Sequence, residues 1–448
     1  MKYQNEKVVG AIYTNGVSTI KNPYIEALPE ILSYDDFMKE IASFPSIPMD
    51  IYIKSPEERR SFLSEINNIF YPMDYMYYIY DLLYRAIKDN YSSKNTIETI
   101  QQINHLYKSM IQDNVSKLEY STQSFSGSIL GTPGIGKSST VRRSLSLMPQ
   151  VIIHSKYNGE AMYVKQIVYL CVECPSDCSV KTLAMSIMSE IDKTIGSNYF
   201  DEIAHNPRSR SASTLAIKVK IACLNHKIGI IVIDEIQNAV VTASKNNQLK
   251  PLIRFLVELT NEACVSICFV GTLLAEEIFC SQEHLKRRTR GFRLLPLKPD
   301  KTYMKFLESI WKYQWTLKKA EMKENIMNLI YDYSGGIPSY ILLIFLESQS
   351  QAIMSGKEKI DITTIKKTIG MLQINVNKPY SGGTSISDFC VGSDMDDSED
   401  EDLHLKSQKR GRPITARESE DLISMFKRAA DSKTLITNLE LENLVEKY

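Results

Sequence analysis

The chain has 448 residues, of which 43% are hydrophobic and 24% are charged, close to the average for soluble globular proteins. That composition excludes a collagen, a mucin or a wholly disordered protein, and the length has room for two or three domains. Lys plus Arg and Asp plus Glu number 53 each, so any attraction to nucleic acid must come from local clusters. No apolar run approaches the ~20 residues of a membrane helix, and the first residues lack the apolar core of a secretion signal. We therefore expect a cytoplasmic protein that does not contact a membrane.

Three segments of different character make up the first 378 residues. Residues 1–118 are rich in tyrosine and show helical periodicity, which predicts a helical N-terminal region. Residues 119–299 alternate short β-branched runs with amphipathic stretches, the pattern of an α/β core with a parallel sheet flanked by helices. Residues 300–378 return to helical periodicity and predict a helical lid. The strands expected in the core are 127–130, 166–172, 228–233, 266–272 and 292–297.

The C-terminal part has a different composition. Residues 379–413 contain eight acidic side chains with no Lys or Arg between them, which predicts a disordered acidic linker. Residues 414–448 are expected to be helical. Their apolar residues at i, i+3, i+4 and i+7 suit the groove of a partner, or else pack back on the lid. These residues are Leu422, Met425, Phe426 and Ala429.

A phosphate-binding motif opens the core. The run Gly131-Thr-Pro-Gly-Ile-Gly-Lys-Ser138 matches G-x-x-x-x-G-K-[ST] at every fixed position, between a predicted strand and a helix expected at 138–147. The backbone N–H groups of such a loop surround phosphates, its lysine reaches the β- and γ-phosphates and its serine binds magnesium. We therefore predict ATP and Mg²⁺ as cofactors. The predicted nucleotide-binding residues are Gly131, Thr132, Pro133, Gly134, Ile135, Gly136, Lys137, Ser138 and Ser139.

Two carboxylates follow the apolar run 228–233. Such a run is typical of a strand that is buried on both faces, and its carboxyl end is where open α/β sheets bind ligands. Asp234 is predicted to hold magnesium together with Ser138, and Glu235 to polarise the attacking water. The spacing from the phosphate-binding motif, with one strand between, makes this pair a candidate catalytic site.

Two further features follow in the core. Thr272 ends the predicted strand 266–272 and is expected to hydrogen-bond the γ-phosphate or the lytic water, or otherwise to cap the strand. Residues 285–293 hold five cations just before the last strand. Either Arg287 or Arg288 is predicted to project into the ATP site of a neighbouring subunit; the alternative is a solvated basic face. The first reading implies a homo-oligomer.

The order of these features resembles that of AAA+ ATPases: a phosphate-binding loop, an Asp-Glu strand end, a polar sensor strand, arginines and a helical lid. Residues 334–339 resemble the second-sensor turn of that superfamily. The turn departs from the pattern, because Ser339 and Tyr340 follow Pro338 where an arginine often stands. The resemblance implies an AAA+ fold and ATP hydrolysis.

Short segments along the first three-quarters of the chain resemble the TnsC family. Members of this family are ATPase regulators of TnsABC-type transposons and are related to the TniB proteins. These TnsC-like segments are residues 22–29, 149–154, 166–170, 196–199 and 231–237. The resemblance implies an ATP-dependent ring or filament on double-stranded DNA. Such an assembly takes a signal from a target-selection protein and recruits the transposase subunits, and hydrolysis controls its disassembly. Separately, the linker before the C-terminal helix is long enough to carry it beyond the body of a ring, so we expect this helix to dock on the transposase, or else to pack back on the lid.

The expected DNA contacts are to phosphates and do not read the base sequence. The loop 177–182 faces the pore in the related assemblies, so Lys181 and Thr182 are candidate contacts, although Lys181 could instead cap a helix. Residues 409–413 resemble an AT-hook core, which can lie in a narrow minor groove.

Two other functions stay open at this point. One is a STAND-type nucleotide switch, which the presence of Glu235 and the lack of a repeat array disfavour. The other is a clamp-loader or replication-initiator ATPase, which an expected disordered linker in place of a winged helix disfavours.

Overall fold

A computed structural model describes residues 6–14, 21–92, 124–205, 211–239, 249–276 and 289–372, with isolated positions at 94, 105, 106, 108 and 374. The predicted linker and C-terminal helix, including residues 409–413, lie outside the described residues. In the part of the chain that the structure describes, no helix is both long enough and apolar enough to cross a membrane.

Within the described residues, eight strands form two sheets. They are β1 (Val8–Gly10), β2 (Ser126–Gly131), β3 (Val151–Tyr157), β4 (Glu160–Ile167), β5 (Tyr169–Glu173), β6 (Ile230–Asp234), β7 (Ser266–Gly271) and β8 (Thr289–Leu294). The central sheet has five parallel strands in the order β5-β6-β7-β2-β8. All residues of β2, β6 and β7 are buried, which explains the unbroken apolar run of β6. The predicted parallel α/β core is confirmed.

The helices of the described residues lie on both faces of this sheet and beyond it. They are α1 (Pro23–Glu26), α2 (Tyr34–Ile41), α3 (Pro56–Phe62), α4 (Asp74–Ser92), α5 (Lys137–Ser146), α6 (Val180–Ile195), α7 (Tyr199–His205), α8 (Ala212–Asn225), α9 (Leu249–Glu262), α10 (Lys301–Trp311), α11 (Glu324–Ser334), α12 (Pro338–Met354) and α13 (Ile362–Leu372). One face of the sheet packs against α6, α8 and α9. The other packs against α4 and α5, and this core continues into the lid helices.

The second sheet was not expected from the sequence. It has three strands in the order β1-β3-β4, with β1 parallel to β3 and β3 antiparallel to β4. The single strand predicted at 166–172 is therefore wrong: Ile167 ends β4 in this sheet and Tyr169 begins β5 in the central one. Both sheets bury this stretch, so an apolar run could not reveal where the chain passes from one to the other.

The N-terminal region is mostly helical, as predicted, but it also contributes β1. Helix α3 ends at Phe62, and the chain continues as a 3₁₀ helix over Leu63–Asn68. This region contacts the lid as well as the core. Arg59 of α3 forms two hydrogen bonds with Glu358, between α12 and α13, at 2.7 and 2.6 Å. The N-terminal region is therefore held to the lid by a side-chain ion pair.

Candidate nucleotide-binding site

The predicted phosphate-binding loop connects β2 to α5. Gly134 and Gly136 have φ angles of 81° and 97°, in the left-handed region that favours glycine. Gly136 is the N-cap of α5, which contains Lys137, Ser138 and Ser139 in its first turn. The loop therefore turns directly into a helix N-terminus, the arrangement that presents backbone N–H groups to an anion.

Lys137 lies across this loop. Its Nζ donates to the carbonyl oxygens of Gly131 and Thr132 at 2.9 and 3.0 Å, and only 9% of the residue is exposed. Burial lowers the pKa of the ammonium, while the carboxylates of Glu235 and Asp234 act in the opposite direction. The charge of Lys137 is thus held next to the loop and faces two acidic groups.

Ser138 and Asp234 meet at the carboxyl edge of the sheet. Ser138 Oγ donates to Asp234 Oδ1 at 3.0 Å, and Asp234 is the last residue of β6. Arg142, on the next turn of α5, has its Nη2 atom 3.7 Å from the other Asp234 oxygen. A hydroxyl and a carboxylate side by side fit Mg²⁺, which commonly takes one or two protein oxygens and completes its shell with phosphates and water.

Glu235 follows in a strained conformation. Its φ angle is 57°, uncommon for a residue with a side chain and a feature that clusters at functional sites. The side chain is exposed, and its Oε2 atom accepts a hydrogen bond from the Gln237 amide. Gln237 Oε1 in turn accepts the backbone N–H of Thr272 at 3.0 Å. Gln237 therefore links the predicted catalytic carboxylate to the predicted sensor residue.

The position of Gln237 depends on its neighbour in β7. A Cβ atom added to Gly271 would lie 2.5 Å from Gln237 Oε1, so a larger residue would displace the amide. Sequence reasoning did not assign Gln237 to the site, because the bridge exists only where β6 and β7 are adjacent. The signal available in the sequence was Gly271, directly before Thr272, because a glycine leaves room for a side chain from the neighbouring strand.

Thr272 carries a hydroxyl that has no partner. Its Oγ1 atom is buried, and no group among the described residues forms a hydrogen bond with it. Buried polar atoms are nearly always satisfied, so an unsatisfied one calls for an explanation such as a bound group. Thr272 lines the same cavity as the phosphate-binding loop.

That cavity has a volume of about 560 Å³ and joins the three parts of the chain. One end is formed by the phosphate-binding loop, Asp234, Glu235 and Thr272. Apolar side chains from the N-terminal region and the lid line the rest, namely Ile69, Phe70, Met73, Phe306, Ile310 and Leu342. A polar end and an apolar end suit a ligand with phosphates and a flat base.

The turn that resembles a second sensor lies against the loop. The backbone N–H of Ser339 donates to the Gly134 carbonyl at 3.3 Å, and the Gly336 carbonyl accepts from the Leu297 N–H at 3.0 Å. Ser339 and Pro338 line the cavity. This turn therefore contacts the nucleotide site through backbone and hydroxyl groups, without an arginine at its end.

The remaining predicted residues lie elsewhere. The loop expected at 177–182 ends at Ser179, because α6 begins at Val180 and the Ser179 hydroxyl caps the N–H groups of Lys181 and Thr182. Thr182 Oγ1 donates to Asp177 at 2.7 Å. Both candidate DNA contacts thus belong to the first turn of a helix. Residues 287 and 288, the predicted trans-acting arginines, lie outside the described residues.

Residues 121–279 match the family described as AAA domain, a stretch that includes the phosphate-binding loop, Asp234, Glu235 and Thr272. No curated protein matches the chain.

Several solved structures are similar. The Thermotoga maritima RuvB Holliday junction branch migration motor is 13% identical, covers 63% of this chain and 70% of its own, and has a TM-score of 0.32. Aeropyrum pernix ORC2 is 12% identical (61% and 66% covered, TM-score 0.36), and Pyrobaculum aerophilum Cdc6p is 17% identical (65% and 70% covered, TM-score 0.36). The family match over residues 121–279, the parallel sheet and the loop between β2 and α5 together show the AAA+ P-loop NTPase fold in this part of the chain, as the sequence predicted.

Proposed function

We propose that this protein binds and hydrolyses ATP. The observation that carries the proposal is the convergence of Ser138, Asp234, Glu235 and Thr272 around one cavity next to the phosphate-binding loop. These residues come from two strand ends, those of β6 and β7, and from the N-terminus of α5. Phosphoryl transfer depends mainly on positioning and charge stabilisation, and this arrangement supplies both.

Each side chain has a distinct role in this proposal. The loop N–H groups and Lys137 bind the phosphates, and Ser138 and Asp234 would hold Mg²⁺, which neutralises phosphate charge when bound. Glu235 polarises the attacking water, with its carboxylate oriented by the Gln237 amide. The buried Thr272 hydroxyl donates to the γ-phosphate or to that water.

The apolar end of the cavity would take the base. Phe70 and Met73 from the N-terminal region and Phe306 and Ile310 from the lid line this cavity. Burying a flat aromatic base between such side chains removes apolar surface from water. Nucleotide binding would therefore draw on all three parts of the chain.

We further propose that the protein is a TnsC-like regulator of DNA transposition. In this role it oligomerises on double-stranded DNA and links a target-selection protein to the transposase subunits. The support is the series of TnsC-like segments, two of which, residues 22–29 and 166–170, join the N-terminal region to the core. The Gln166 amide donates to the Tyr24 carbonyl at 3.1 Å, and Gln166 Oε1 lies 2.7 Å from His154 Nε2.

Imaging with and without duplex DNA tests this proposal. The full-length protein is incubated with a slowly hydrolysed ATP analogue and examined by negative-stain electron microscopy. A DNA-bound regulator forms rings or filaments only when both the analogue and duplex DNA are present. Assembly without DNA would favour a STAND-type switch, and a monomer that loads onto DNA would favour an initiator-like ATPase.

DNA binding itself is expected to be tolerant of sequence. Phosphate contacts release counterions, so affinity should fall by orders of magnitude, about 10³–10⁵-fold for 6–10 contacts, between 50 and 200 mM salt. Fluorescence anisotropy with several unrelated duplexes measures this. A salt-insensitive preference for one sequence would contradict a pore that reads only the backbone.

A further inference from the structure

Tyr75 lies beneath the phosphate-binding loop although it belongs to the N-terminal region. It is the second residue of α4, and its hydroxyl donates to the Ile135 carbonyl at 3.2 Å. The phenol oxygen is also 3.9 Å from the place where a Cβ atom of Gly136 would be. A side chain 60 residues before the loop thus contacts its backbone directly.

This contact determines the orientation of one peptide group. The Ile135 carbonyl and the Gly136 N–H belong to the same planar trans peptide and point in opposite directions. When the phenol holds the carbonyl on one side, the N–H is directed to the other side. Gly136 precedes the regular turns of α5, and its left-handed φ angle of 97° gives this peptide a conformation that helix geometry does not impose.

The neighbouring peptide is held in a similar way from the lid. The Gly134 carbonyl accepts the backbone N–H of Ser339 at 3.3 Å. Two successive carbonyls of the loop are therefore bound by groups outside the AAA domain, one from α4 and one from α12. Of these two contacts, only that of Tyr75 comes from a side chain, so a single substitution can remove it.

Tyr75 is well placed to act as a fixed donor. Burial raises the pKa of its phenol far above the ordinary value, so it stays protonated at physiological pH. The helix that carries it is anchored by Ile79, Leu83 and Ile87, none of which is exposed. Packing of α4 thus sets the position of the phenol within the range that a hydrogen bond tolerates.

We propose that Tyr75 is a positioning residue for the phosphate-binding loop, through which the N-terminal region sets the affinity for nucleotide. The affinity part rests on the ATP function proposed above. Because coupling between two sites is reciprocal, nucleotide binding in turn stabilises the contact between α4 and the loop. The N-terminal region then takes part in nucleotide binding as well as in the structure.

The test compares two Tyr→Phe variants of the same helix in the full-length protein. Tyr75→Phe removes the loop contact, and Tyr91→Phe is the matched control: it is also fully buried and donates to a backbone carbonyl, that of Ile167, at 3.2 Å. Affinity is measured by titrating a fluorescent ATP analogue with Mg²⁺. We expect Tyr75→Phe to bind about five- to tenfold more weakly, the usual effect of one hydrogen bond, and Tyr91→Phe to bind as the wild type does.

Steady-state kinetics supplies a second readout. Tyr75→Phe leaves the catalytic groups in place, so KM should rise while kcat stays near the wild-type value. If Tyr75→Phe binds normally, or if both variants lose affinity equally, the positioning role is wrong.

Hydrogen exchange separates this proposal from the ATP function itself. In nucleotide-free protein, a peptide covering residues 131–138 should exchange faster in Tyr75→Phe than in the wild type or in Tyr91→Phe. Unchanged exchange would overturn the positioning role whether or not nucleotide binds. If the wild type fails to bind the analogue while exchange still rises in Tyr75→Phe, the proposed ATP function is wrong, but Tyr75 still positions the loop.

Discussion

The hydroxyl of Ser138 and the carboxylate of Asp234 are 3.0 Å apart, although 96 positions separate them in the chain. Their strands are not neighbours, because β7 lies between β6 and β2. The contact spans that gap because all three strands are parallel and end at the same edge, where the first turn of α5 begins. The residues proposed to bind and hydrolyse ATP lie around this pair.

Binding and turnover should separate in two substitutions. Lys137→Ala removes the charge next to the loop and should abolish binding of the nucleotide analogue. Glu235→Gln keeps the volume of the side chain but cannot accept a proton, so it should bind ATP and hydrolyse it about 10²–10⁴-fold more slowly. Phosphate release measures turnover. Hydrolysis by Glu235→Gln at the wild-type rate would show that another group activates the water.

Gln237→Ala should lower kcat with little change in KM. The amide holds Glu235 and the Thr272 backbone and, in our proposal, orients the water rather than the bound nucleotide. We expect a loss on the order of tenfold, typical of a misplaced catalytic group rather than a deleted one. Gln150→Ala is a suitable control, since that amide contacts Thr194 away from the site. A raised KM with normal kcat would instead indicate a role in binding.

Arg59→Ala should destabilise the protein through the ion pair with Glu358. The two side chains are only 2% and 12% exposed, so the substitution leaves a carboxylate unpaired in a buried position. Such losses cost about 3–5 kcal/mol in the free energy of unfolding. The control is Arg85→Ala, which breaks a surface pair with Asp81 and should cost about 0–1 kcal/mol. Urea denaturation compares the two; equal effects would contradict the importance of burial.

The same ion pair predicts a pH dependence. The hydrogen bond from Arg59 lowers the pKa of Glu358 below its ordinary value of 4.5. The stabilisation is therefore fully present above that value and is lost as the pH falls through the lowered pKa. The stability difference between wild type and Arg59→Ala should shrink over this acidic range. Urea midpoints of both proteins at several pH values measure it, and a difference that does not depend on pH would contradict the assignment.

Mixed assemblies test whether an arginine acts between subunits. Protein with Arg287→Ala and Arg288→Ala is combined with Lys137→Ala protein in the presence of duplex DNA. Mixed interfaces pair an intact nucleotide site with an intact arginine, so part of the ATPase activity should return, and wild-type activity should rise with protein concentration. Assembly without any recovery of turnover would exclude these two arginines.

The phosphate-binding loop and the carboxylates that follow β6 can be read from the sequence alone. A loop of fixed length can bind phosphate with its own backbone, so its motif is readable from consecutive residues. A strand buried on both faces needs an unbroken apolar run, which placed Asp234 and Glu235 at a sheet edge. The helices of the lid followed from their periodicity for the same reason: a local pattern reports which side of an element is buried.

Which side chains contact each other follows from the tertiary packing and not from the local sequence. Gln237 reaches Thr272 because β6 and β7 are adjacent, and Tyr75 reaches Ile135 because α4 packs under the loop. The three-stranded sheet, and the division of residues 166–172 between two sheets, likewise depend on partners far away in the chain. Hydrophobic patterning shows that a residue is buried but not against what, because the hydrophobic effect has no direction. The donor–acceptor distance of a hydrogen bond can vary by only a few tenths of an ångström. Strand register and helix packing set that distance.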